Sequence, residues 1–120
     1  MTLNAKAQTI LDLLAKAEAG EVASPEKLGA VKLRDLFKKT RGAFTPETPD
    51  VGKVEEFFIQ GQGGKIPVRY YRPMGPELDR PLPLLVYYHG GGWVVGDLGT
   101  HEVICRMLNN WGQFSVVNVD

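Results

Sequence analysis

A chain of 120 residues, 43% hydrophobic and 23% charged, has room for one ordinary globular domain or for part of a larger one. Its 14 basic and 14 acidic residues cancel and are spread without blocks, which excludes the electrostatic footprint of a nucleic-acid or anionic-membrane binder. A lone Cys105 excludes an internal disulfide, and with only His89 and His101 beside it the soft ligands are too few for a structural zinc site.

The opening segment, MTLNAKAQTILDLLAKAEAG, places Leu3, Ala7, Ile10, Leu14 and Ala17 three or four residues apart, the spacing of one helix face, until Gly20 stops it. Lys6, Asp12 and Lys16 interrupt the apolar character that a signal peptide needs, so a cytoplasmic location is the default expectation. Ser24-Pro25-Glu26 then offers an N-cap, a proline at the first helical position and an acid near the positive end of the dipole. A second helix is expected from there through Leu28, Val31, Leu33, Leu36 and Phe37 to about Thr40.

After the linker GAFTPETPDVG the pattern becomes β-rich. VEEFFI (54–59) and IPVRYYR (66–72), separated by GQGG, read as an antiparallel pair, with Tyr70 and Tyr71 as sheet residues. PMGPELDRPLP is a loop. LLVYY (84–88) is expected to be a strand buried on both faces, about 98–112 a helix, and FSVVNV (114–119) a second buried strand. The order is two helices, a hairpin, then strand, glycine loop, helix and strand, which implies a mixed sheet ending in a parallel βαβ unit.

Three glycines between a strand and a helix mean that something approaches the main chain closely, since a Cβ would block the approach or a positive φ. Two chemistries use this. In a dinucleotide fold the loop cradles a pyrophosphate, and Gly90, Gly92, Gly96 and Asp120 offer a loose version of that pattern. Against it, the spacing is GxGxxxG, the bulky Trp93-Val94-Val95 sits where the helix should begin, and the strand follows a hairpin instead of opening the fold. In an oxyanion hole, backbone N–H groups face the oxygen on which charge develops during acyl transfer, and an HGGG loop after the third strand is the lipase and esterase version.

LLVYYHGGGWVVGD (84–97) fits the second pattern, and here the sequence resembles the hormone-sensitive lipase family of carboxylesterases. The resemblance covers nearly the whole chain. The leading helices (1–45) resemble part of that family's cap. The rest (46–120) resembles the N-terminal part of an α/β-hydrolase core, with GGKIPVRYYRP as its second strand, PLPLLVYYHGGGWVVGDLGTHEVICRML as its signature block and FSVVNVD as its fourth strand. It implies an α/β fold with a mixed, mostly parallel sheet and an N-terminal helical cap, of which this chain holds the cap helices and about four strands. The fourth strand is expected between the second and third, leaving the third as an apolar edge. The implied reaction is hydrolysis of short- to medium-chain acyl esters by a serine nucleophile, with no metal or cofactor. The implied partner is a small-molecule ester, with no nucleic acid and no membrane span, and self-association is left open.

The resemblance assigns the oxyanion-hole amides to Gly91 and Gly92. Gly90, Trp93 and Tyr88 are candidates for contacting substrate, and His89 and Asp97 for supporting the loop. Where many relatives have ETHD, this chain has GTHE (99–102). The family's nucleophile lies in a GxSxG motif after a fifth strand, with the acid and the histidine later still. The serines here are Ser24, a helix cap on this reading, and Ser115, inside a strand, and neither has the flanking glycines. The triad is therefore expected outside these residues, and the chain alone is expected to be inactive and not to form a stable domain. Alternatives are a non-catalytic binding module derived from a hydrolase and the nucleotide-binding domain.

Other residues have plainer readings. His101, four residues after Asp97, is expected to share a helix face with it as an ion pair or cap. Cys105 reads as a small buried thiol, not a nucleophile. Trp93 either wedges the loop against the cap helices or lines an acyl pocket. Tyr87 and Tyr88 are sheet residues, one of which reaches the site.

Overall fold

The computed structural model describes residues 3–19, 25–75 and 80–120. Helix α1 spans Ala5–Ala19 and α2 spans Pro25–Phe44. They are followed by strands β1 (Lys53–Gly61), β2 (Gly64–Arg72) and β3 (Leu84–Tyr88), helix α3 (Glu102–Gly112) and strand β4 (Ser115–Val119). The four strands form one sheet in the order β1-β2-β4-β3, so the fourth strand lies between the second and third as expected. The proposed cap on Ser24 lies outside the described residues.

The hairpin follows from its turn. Gly61 pairs with Gly64 across the two-residue loop Gln62-Gly63, and Gly64 has φ 134°, a conformation open to glycine. This short connection forces β1 and β2 antiparallel, and β2 in turn meets β4 antiparallel, from Val68↔Val119 to Tyr71↔Val116. Only β3 and β4 run parallel, joined through α3, with Leu84 opposite Ser115 and Tyr88 opposite Val119. The expectation of a mostly parallel sheet is thus corrected for this chain, in which two of the three pairings are antiparallel.

Helix α3 covers one face of the sheet. Its buried Cys105 and Asn109, four residues apart, face Tyr71 of β2 and Val116 of β4, and Val51, Leu85, Tyr87, Leu108 and Phe114 close around them. Asn109 is fully buried and donates from Nδ2 to the carbonyls of Tyr71 (3.1 Å) and Phe114 (2.6 Å), which ties the helix to the strand before it and to the turn after it. The helix ends at Gln113, in the left-handed conformation with φ 52°.

Strand β3 departs from the sequence reading. Leu85 and Tyr87 are half-buried beneath α3, but Leu84, Val86 and Tyr88 are 57%, 46% and 73% exposed. They lie on the face opposite α3, where no described element covers them. β4 fits its reading better: Ser115, Val116 and Asn118 are buried.

Helix α3 also starts later than expected, at Glu102 instead of about 98. Asp97 and Thr100 hold the intervening residues as a turn. Thr100 N donates to Asp97 Oδ1 at 2.8 Å, Asp97 N donates to Thr100 Oγ1 at 2.9 Å, and the Thr100 hydroxyl donates to the Asp97 carbonyl at 3.0 Å. Helix α2 runs past Thr40 to Phe44, and the Thr40 hydroxyl bonds back to the Leu36 carbonyl at 3.0 Å within the helix. Pro46 then disfavours helical geometry at Thr45. Helical geometry breaks inside α2 at Gly29 (φ 70°, ψ 157°). Along the apolar stripe of the first helix, Leu3 and Ile10 are exposed and Ala7 is half-buried. Among the described residues no helix is long and apolar enough to cross a membrane.

Candidate functional site

The C-terminal end of β3 opens into a cleft of about 840 Å³. Tyr88, His89, Gly90, Gly91, Gly92 and Trp93 form one wall, and Arg34 and Lys38 of α2 reach in from above. Val119 and Asp120, at the end of the adjacent β4, complete the floor. The cleft therefore lies at the carboxyl ends of the two parallel strands, where open α/β sheets bind ligands.

The glycine loop has a specific shape. Gly91 has φ 146° and Gly92 φ 58°. The Gly91 carbonyl accepts from both Val94 N (3.1 Å) and Val95 N (3.0 Å), which folds residues 91–95 back as a tight turn. A Cβ on Gly91 would sit 1.7 Å from the Val95 carbonyl oxygen, so only glycine fits there. A Cβ on Gly92 or on Gly90 would meet nothing within 4 Å, although the positive φ at Gly92 still favours glycine. At Gly96 (φ 100°) a Cβ would meet His89 Nδ1 at 2.5 Å and the Gly90 carbonyl at 2.7 Å. These glycines permit close packing of the loop on itself.

The carbonyls that share peptide groups with the Gly91 and Gly92 amides are both occupied. His89 Nδ1 lies 3.0 Å from the Gly90 carbonyl and donates to it in the tautomer with its proton on Nδ1. That carbonyl belongs to the same peptide group as the Gly91 N–H. The Gly91 carbonyl, held by Val94 and Val95, shares its peptide group with the Gly92 N–H. Among the described residues nothing accepts from the amides of Gly91 or Gly92.

The predicted supporting and contacting residues take definite places. His89 stacks on His101, ring centroids 5.2 Å apart and planes at 22°. His101 is buried, and burial, aided by nearby Arg41, lowers its pKa below the ordinary imidazole value. It does not share a helix face with Asp97 as expected, because Asp97 precedes the helix, although the Asp97 backbone carbonyl and charge still act on its ring. His101 Nδ1 instead lies 3.1 Å from the Thr100 hydroxyl. Asp97 is half-buried and binds Lys38 Nζ at 2.8 Å. Partial burial pushes its carboxyl up, but Lys38 and the Thr100 amide and hydroxyl more than offset this and hold it at about 2.

Trp93 is fully exposed, with φ 58°, so it lines the cleft and does not wedge the loop against the helices. Tyr88 is exposed on the same wall. Ser115 is buried, and its hydroxyl lies 2.8 Å from that of Tyr70, so it has no access to a substrate. Cys105 is fully buried, and burial pushes its thiol up to about 12, which leaves no thiolate for nucleophilic attack.

Three residues of the site, Arg34, Lys38 and Asn118, were missed by sequence reasoning, and Asp120 was read only as the acid of a dinucleotide pattern. Arg34 Nε donates to the Val94 carbonyl at 2.6 Å, and Lys38 reaches Asp97 from the next turn of α2. Asp120 Oδ1 accepts from Leu98 N at 3.2 Å and Asn118 Nδ2 donates to the Leu98 carbonyl at 3.2 Å, so β4 fixes the far end of the loop. Asp120 is thereby engaged with the loop, and α3 begins ten residues after Gly92, so no helix N-terminus faces the glycines as a pyrophosphate cradle requires.

A family model described as alpha/beta hydrolase fold matches residues 85–120. The chain is 45% identical over 67 residues to the carboxylic ester hydrolase LipN of Mycobacterium tuberculosis, covering 56% of this chain and 17% of that protein. It is 39% identical over 95 residues to the carboxylesterase NlhH of the same species, covering 78% and 27%. Among solved structures, an ester hydrolase from the metagenome of Lake Arreo superimposes with a TM-score of 0.90 at 33% identity, covering 99% of this chain and 38% of that one. The chain thus spans well under half the length of these relatives. Over the portion it spans, the chain belongs to the hormone-sensitive lipase family of carboxylesterases, with the α/β-hydrolase fold.

Proposed function

We propose that this chain supplies the oxyanion-hole loop of a serine carboxylic ester hydrolase acting on short- to medium-chain acyl esters. When a serine oxygen attacks the ester carbonyl, negative charge develops on the carbonyl oxygen, and the Gly91 and Gly92 amides donate to it. The observation that carries this reading is that Gly91 and Gly92 line the cleft and, among the described residues, nothing accepts from their amides, while the carbonyls of the same peptide groups are tied down. Such donors need no reorganisation as charge develops, and removing one of them in a protease costs roughly 10²–10³ in rate. Trp93 and Tyr88 contact the acyl or alcohol group from the wall of the cleft. The nucleophile and its base are assigned to residues outside this chain, since Ser115 is buried and neither Ser24 nor Ser115 has the flanking glycines of a GxSxG motif. A cytoplasmic location is part of the proposal and is tested by cell fractionation.

The test is a fusion in which this chain replaces the matching portion of the Lake Arreo ester hydrolase, which it covers at 99% of its own length. Hydrolysis of p-nitrophenyl butyrate by the fusion, and none by the 120-residue polypeptide alone, is the expected result. A folded fusion with no activity would remove the loop from the oxyanion role.

A further inference from the structure

Arg34 is connected to Gly92 by an unbroken series of hydrogen bonds. Its Nε donates to the Val94 carbonyl at 2.6 Å. The peptide group of that carbonyl carries the Val95 N–H, which donates to the Gly91 carbonyl at 3.0 Å. The peptide group of the Gly91 carbonyl carries, at its other end, the Gly92 N–H. We propose that Arg34 is a positioning residue for ester hydrolysis, polarising and orienting the Gly92 amide through two intervening peptide groups. The proposal rests on Gly92 being an oxyanion donor.

The physical reason is cooperative. A cation donating to a peptide oxygen draws electron density from that group and makes its N–H a better donor, and each bond in a series strengthens the next by about 10–30%. Lys38, one turn along α2, cannot substitute for Arg34. Its charge is matched by Asp97, and it touches the loop beyond the turn that holds Gly92. Among the described residues no carboxylate forms an ion pair with Arg34, so its charge is directed at the Val94 carbonyl. The same bond holds the 94–95 peptide in place and therefore fixes where the Gly92 N–H points. Because Arg34 is exposed, the effect is a modest one, smaller than losing the donor itself.

The experiment uses the fusion with the Lake Arreo ester hydrolase, carrying Arg34→Met, Arg34→Lys or Gly92→Ala. Arg34→Met is expected to lower kcat about three- to tenfold with KM changed less than about twofold, and to weaken an alkylboronic acid inhibitor, a tetrahedral-intermediate mimic, by the same factor. Arg34→Lys, which keeps charge and donor, is expected to recover at least about half of the loss. A kcat for Arg34→Met within about 1.5-fold of the parent, a loss confined to KM, or no recovery with Lys would each overturn the proposal. Gly92→Ala separates the two claims: if it lowers kcat while Arg34→Met does not, only the role of Arg34 fails, and if neither lowers kcat, both fail. Arg34 is on the exposed surface of α2, so its variants are expected to fold, and matched thermal transitions verify this.

Discussion

Lys38 Nζ lies 2.8 Å from Asp97 Oδ2, an ion pair that joins helix α2 to the residue following the glycine loop, 59 positions later in the chain (97 − 38). Its pH dependence follows from the carboxyl. The folded-state value for Asp97, about 2, is below its ordinary 3.8, so the unfolded chain takes up the proton first as pH falls. The stabilisation is full above the unfolded value and is lost as pH drops through the folded one. In the fusion, Asp97→Asn should therefore lower Tm by an amount that is constant above about pH 5 and shrinks between about pH 4 and pH 2. A difference that persists unchanged at pH 2 would show that Asp97 acts through something other than its charge.

Asn109 anchors the packing beneath the site. Replacing it with Ala removes both Nδ2 hydrogen bonds and leaves the Tyr71 and Phe114 carbonyls buried without that donor. The expected loss is about 2–4 kcal/mol in urea unfolding. Asn109→Asp should be no better, since a carboxylate cannot donate to two carbonyls. An Ala variant within about 0.5 kcal/mol of the parent would contradict this account of how α3 is held.

The uncovered face of β3 predicts behaviour of the polypeptide by itself. Leu84, Val86 and Tyr88 are exposed, and among the described residues β3 is hydrogen-bonded only to β4. A strand with an open edge and apolar side chains invites pairing with another copy. Sedimentation of the 120-residue polypeptide should show self-association, and Val86→Lys should reduce it. A monomer with a sharp cooperative melting transition would mean that β3 is protected in a way the sheet does not show.

The elements that local chemistry determines were legible in the sequence. The hairpin could be read from GQGG between two β-rich runs, β3 from LLVYY, and the loop from HGGG. Tertiary placement was less legible. Alternating burial on β3 could not be read from five consecutive apolar residues, because such a run looks the same whether one face or two are covered. The delayed start of α3 depends on Thr100 bonding back to Asp97, a turn that helical periodicity conceals. Arg34 and Lys38 were invisible as site residues because charged positions on an exposed helix look alike until the chain folds 60 residues back onto them.

The most direct test of the oxyanion role is the kcat of Gly92→Ala in the fusion. An added Cβ there meets nothing within 4 Å, so the variant should fold, while the positive φ of 58° and the methyl group beside the amide disturb the donor. The account predicts a fall in kcat of about ten- to a thousandfold with KM little changed, the pattern of an interaction made mainly in the transition state. A folded Gly92→Ala fusion with the kcat of its parent would contradict it.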